Sequence, residues 1–141
     1  MKSPTGKIWF EMVTLYKTPW VLPYHVHSWS IAKAIPYLSL ICQDDRSKCL
    51  MDRYADLSFA HWEEILGMNN RDTFDFWNNY WTPMVVKELG VDEAPFKALV
   101  TNEDHSLSEA AARKNWKYAA SIGAASAPTA FVNGIKLDNY P

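Results

Sequence analysis

Ala125-Ser-Ala-Pro-Thr-Ala-Phe-Val-Asn-Gly-Ile-Lys-Leu137 sets two short β-prone runs, Thr129–Val132 and Ile135–Leu137, on either side of an Asn133-Gly134 pair. Asn-Gly accepts positive φ at both central residues of a two-residue type I′ turn, so the stretch reads as an antiparallel hairpin. Pro128 stands just ahead of the first run, where its missing N–H removes no interior ladder bond. Upstream, Gly123 follows Trp116–Ile122 at the spacing of a helix end closed by a left-handed residue. The order is helix, glycine, small-residue loop, proline, strand, tight turn, strand.

Working outward, Ser106-Leu107-Ser108-Glu109 has capping-box spacing and opens the helix that runs to Ile122. Before it, Asp92 caps a short helix from Glu93 to about Val100, with Pro95 in its first turn. Phe74–Leu89 reads as an aromatic-rich helix closed by Gly90, with a break expected at Pro83. Asn69-Asn70-Arg71-Asp72 forms the turn and cap region ahead of it. A helix from Ser47 to about Leu66 precedes that turn, with Leu50, Tyr54, Leu57, Trp62 and Ile65 as its buried positions and Gly67 as its end. Another helix starts with Ser28 as N-cap, carries Ile31, Ala34, Ile35 and Leu38 on one face, and should kink or divide at Pro36. Thr18-Pro19-Trp20 and Leu22-Pro23 make an irregular loop. Ile8–Tyr16 is almost continuously apolar and reads as a strand covered on both faces.

The wording Ala-Pro-Thr-Ala-Phe-Val-Asn-Gly (127–134) after a helix and Gly123 resembles the cis-proline segment of the thioredoxin-fold superfamily, and within it the DsbA-like branch. Gly90-Val91-Asp92 is similar to a segment found before a short helix in that branch. The resemblance covers residues 8–137. It implies an α/β, thioredoxin-like (DsbA-like) fold with a large helical insertion over 24–105, then a helix and a cis-Pro hairpin over 106–141, all in one domain. It also implies a cis Ala127–Pro128 bond and a substrate-facing loop of Ala127, Pro128 and Thr129 that takes an extended peptide or glutathione in β-fashion.

The same resemblance exposes what the chain does not carry. Thiol–disulfide oxidoreductases of this family hold Cys-x-x-Cys at a helix start, where the helix N-terminus lowers the thiol pKa. No Cys-x-x-Cys occurs in this sequence. The expectation is a catalytically incomplete member lacking the first βα unit and the final helix, as a shortened product would. Its unpaired strand edges would then invite self-association. Two other readings stand beside it: a kappa-class glutathione-transferase-like protein of the same fold, and a noncatalytic helical interaction module whose hairpin is an interaction edge.

Composition bounds these readings. With 141 residues, 48% apolar and 14% aromatic, the chain makes one domain with a packed core, in which about two-thirds of the unfolded surface is buried. A net charge of −2 and a pI near 6.0 supply no basic footprint for nucleic acid. No apolar run is long enough to span a bilayer. Met1–Lys7 has no signal-peptide apolar region, which favours the cytoplasm.

The remaining chemistry-bearing residues read mostly as structure. Cys42 and Cys49 would lie about 10 Å apart on one continuous helix, too far to bridge. A loop over Gln43–Lys48 would let them pair, and two reduced cysteines at helix ends is the favoured reading. His25-x-His27 has two ligand-type rings but no further Cys or His close in sequence, so no metal or other cofactor is expected. Trp77, Tyr80 and Trp81 at helical spacing fit the core better than a ligand wall. Asp44-Asp45, Glu63-Glu64 and Glu103-Asp104 read as solvated surface.

Overall fold

A computed structural model describes residues 16–22, 24–101 and 107–137. The first helix, α1 (Ser28–Asp44), passes through a 3₁₀ turn at Arg46–Lys48 to α2 (Met51–Ala60) and α3 (Trp62–Gly67). A helical run over 73–89 comes next: α4 (Thr73–Phe76), a π turn (Trp77–Trp81) and α5 (Thr82–Leu89). Then follow α6 (Glu93–Thr101), α7 (Leu107–Ser121), β1 (Phe131–Val132) and β2 (Ile135–Lys136).

Most expected helices form, with local corrections. α1 begins at Ser28, but the capping position falls to His27, which makes no side-chain cap. Pro36 sits inside α1 without dividing it. The helix expected over 47–66 is broken at His61 into α2 and α3, and Trp62 is 53% exposed rather than buried. Asp72 caps α4, its Oδ1 accepting from the N–H groups of Phe74 and Asp75 at 2.9 and 3.1 Å.

The break expected at Pro83 becomes a π turn. Proline brings no N–H and its ring crowds the carbonyl four residues back, so the helix there cannot keep its regular bonds. Instead Thr82 N–H donates to Trp77 O, five residues back, and the helix continues. This turn carries Trp77 and Trp81 into the interior, both fully buried. They join Leu38, Tyr54, Phe76, Val85 and Phe96 in one core between helices, with Trp77 stacked on Phe96 at 5.0 Å. The core reading of these tryptophans holds, and Tyr80 lies half-buried at its margin.

The thioredoxin-like α/β fold does not form. The described chain is mostly helical, and its sheet is a single antiparallel hairpin, Phe131 opposite Lys136 and Val132 opposite Ile135. A thioredoxin-like domain needs a central sheet covered by helices on both faces. Here helix packs on helix, most extensively α1 on α7, and the core cluster takes no residue from the hairpin. The apolar content between 28 and 121 recurs at helical spacing, so burying it creates helix–helix contacts and leaves two-residue strands nothing to cover. The strand expected over Ile8–Tyr16 lies outside the described residues, except Tyr16, which is 87% exposed and in no strand.

The cysteines are the second correction. Cys42 and Cys49 form a disulfide, their Cα atoms 4.2 Å apart. α1 ends at Asp44 and α2 starts at Met51, so the connector folds back and the distance expected along one helix does not arise.

Candidate functional site

The loop and hairpin singled out from the sequence stand at the end of α7. Gly123 takes φ +86°, the left-handed conformation that closes the helix. Its neighbour Ala124 donates its N–H to Ala119 O, which completes the end of the helix. The Ala127–Pro128 bond is cis, as expected. Thr129 Oγ1 donates back to Ser126 O across the turn, and Leu137 N–H donates to Ala130 O at 2.9 Å, extending the hairpin by one pair. Asn133 (φ 49°) and Gly134 (φ 83°) both have positive φ, as the two-residue turn requires.

Ala127 and Pro128 are exposed and Thr129 is half-exposed. Among the described residues, neither Ala127 nor Thr129 takes part in a backbone–backbone hydrogen bond outside the regular elements. Val132 faces Ile135 across the hairpin, and Leu137 lies two residues beyond Ile135, so these three share one face. That face is open to solvent: Ile135 is 71% exposed, and Val132 and Leu137 are exposed too. From Leu107 to Leu137 the only acidic residue is the buried Glu109, and Lys114, Lys117 and Lys136 are all exposed. The hairpin thus combines open backbone groups and an apolar face with Lys136, the one charged side chain of residues 125–137.

The two histidines stand in different surroundings. His27 is fully buried, stacked on Phe76 at 4.0 Å, and its Nε2–H donates to Met68 O at 2.7 Å. His25 lies against Tyr24 with its ring centroid 4.5 Å away. No group of three or more His, Cys, Asp or Glu side chains among the described residues is arranged to hold a metal ion. No helix of the described residues is long and apolar enough to cross a membrane.

A second polar centre escaped the sequence. Glu109 of α7 and Lys33 of α1 are buried together, 2% and 5% exposed, with Nζ 3.3 Å from Oε2. Arg113 Nε donates to Glu109 Oε1 at 2.6 Å, and Trp29 Nε1–H reaches both carboxylate oxygens at 3.3 and 3.2 Å. Ser108 Oγ donates to the Lys33 carbonyl and ties the two helices together. In sequence, Glu109 has the spacing of a capping-box partner; in the fold its carboxylate accepts from α1. The one sequence signal was Lys33 itself, a charge inside the small apolar run Ile31-Ala-Lys-Ala-Ile35.

No protein family, curated protein or solved structure matches the chain. The functional reading therefore stands on the geometry and the residues alone.

Proposed function

We propose that this chain is a noncatalytic helical interaction module that binds an extended acidic peptide along the hairpin. The observation that carries the reading is the exposed face of Val132, Ile135 and Leu137 beside the open backbone of Ala127 to Thr129. A strand with unsatisfied N–H and C=O groups is a template for another extended segment, and alternate side chains of that segment then settle on the apolar face. Lys136, on the second strand and exposed, favours a partner with acidic side chains.

The test is a titration of the isotopically labelled chain with a synthetic peptide that alternates glutamate and valine. Amide shifts should concentrate at Ala127, Thr129 and Val132–Leu137, and binding should weaken as salt is added. Replacing Ile135 with Lys should weaken binding while leaving the helical core intact, because Ile135 adds nothing to that core. A peptide alternating lysine and valine that binds equally well, or shifts confined to the helices, would sink the reading.

A further inference from the structure

Burying an ammonium group costs several kcal/mol unless its donors are met. Lys33, its side chain 5% exposed, brings three N–H donors to the packing of α1 on α7 and, among the described residues, meets the carboxylate of Glu109 at 3.3 Å. That carboxylate is already well supplied, by Arg113 on one oxygen and by the Trp29 indole across both. Donor capacity is therefore left on Lys33 after Glu109 is satisfied. Lys33 lines a cavity of about 250 Å³ together with Val26, Trp29, Ser30, Thr73 and the Glu109–Arg113 pair.

We propose that the cavity binds a small monocarboxylate with a short apolar chain. Its carboxylate would accept from the Lys33 ammonium, with the hydroxyls of Ser30 and Thr73 as further donors in the lining. The apolar chain would lie on Val26 and the Trp29 ring, the two hydrophobic members of the lining. Glu109, 3.3 Å from the same ammonium, disfavours a dianion, so inorganic phosphate fits the charge less well than a monocarboxylate. This site is independent of the hairpin and of the peptide reading.

Sodium butyrate is the probe, titrated into the full chain at constant ionic strength while the Trp29 indole N–H is followed by NMR. A saturable shift is expected with butyrate, none with sodium chloride, and a smaller one with inorganic phosphate. Lys33→Met should weaken binding about tenfold or more, the effect of losing a hydrogen bond to a charged group. Where Lys33→Met does not fold, Val26→Trp carries the test: it changes an exposed lining residue and narrows the cavity without touching a charge. It should abolish the saturable shift. An absent or unsaturable shift in the native chain, equal binding of phosphate, or full binding by Val26→Trp overturns the proposal.

Discussion

Trp81 donates its indole N–H to the hydroxyl of Tyr54 across 3.0 Å, both rings lying in the buried core. The same hydroxyl donates to the Ile31 carbonyl of α1 at 2.8 Å, so one oxygen joins α1, α2 and the π turn. Burial holds this hydroxyl protonated, far above the ordinary tyrosine range. Tyr54→Phe keeps the ring but leaves a buried indole N–H and a carbonyl short of a partner. It should destabilise the chain by about 1–3 kcal/mol in urea unfolding, the cost of an unmet buried group. Full stability in Tyr54→Phe would mean that these groups find water or each other.

Tyr80 and Glu64 form a pH-dependent pair at the margin of the core. The Tyr80 hydroxyl donates to Glu64 Oε2 at 2.6 Å, and His61 Nδ1 lies 3.2 Å from the same oxygen. Burial, followed by the neighbouring carboxylate, pushes Tyr80 up to about 12. The hydrogen bond from Tyr80, then that from His61, holds Glu64 below the usual carboxylate range. The folded value of Tyr80 lies above its unfolded value, so its contribution to stability is complete below an ordinary tyrosine pKa of 10.0 and is lost as pH rises towards about 12. Glu64 behaves oppositely: its contribution is present above the ordinary carboxylate value and is lost as pH falls through the lowered one. Glu64→Gln should bring the Tyr80 ionisation down part of the way, since burial remains, and ring-resonance titration by NMR reads it directly. An unmoved Tyr80 titration would show that the carboxylate contributes nothing.

The Cys42–Cys49 bridge closes a short loop, with a sequence separation of 7. Loop-closure entropy for so short a loop gives about 2–3 kcal/mol of stabilisation. Urea unfolding of the native chain with and without dithiothreitol, set against a Cys42→Ser/Cys49→Ser variant, measures it. Reductant should lower the midpoint of the native chain and leave the variant unchanged. Equal sensitivity to reductant in both would show that the bridge is not what the reductant acts on.

Gly90 and Gly67 should respond to alanine with opposite signs. Gly90 closes α5 at φ +69°, its N–H donating to Val86 O at 2.9 Å, and an added Cβ would touch nothing within 4 Å. The penalty for Gly90→Ala is therefore conformational alone, about 1–2 kcal/mol. Gly67 is the last residue of α3, is not among the positive-φ glycines, and has equally open surroundings. Gly67→Ala should stabilise by about 0.5–1 kcal/mol through helix propensity. Thermal melts of the two variants check the contrast, and a shared sign would refute it.

What the amino-acid sequence determined by itself is local. Asn133-Gly134 specified the hairpin turn, Gly90 and Gly123 the helix ends, and Asp72 the cap, because each acts on its own φ and ψ or on N–H groups two or three residues away. The apolar spacing placed Tyr54, Trp77, Trp81 and Ile65 inside for the same reason, since a helix face is read within a few turns. Only the tertiary structure decided what those faces meet. The hairpin looks the same in sequence whether it joins a central sheet or stands beside a helical bundle, and here, among the described residues, its strands pair only with each other. Lys33 and Glu109 become one buried pair because α1 packs on α7, and Cys42 reaches Cys49 because the chain turns back between two helices. The sequence left the cysteine pairing open on the connector's shape and marked the ion pair only by Lys33 in an apolar run, because distance in the fold is set by packing, not by position along the chain.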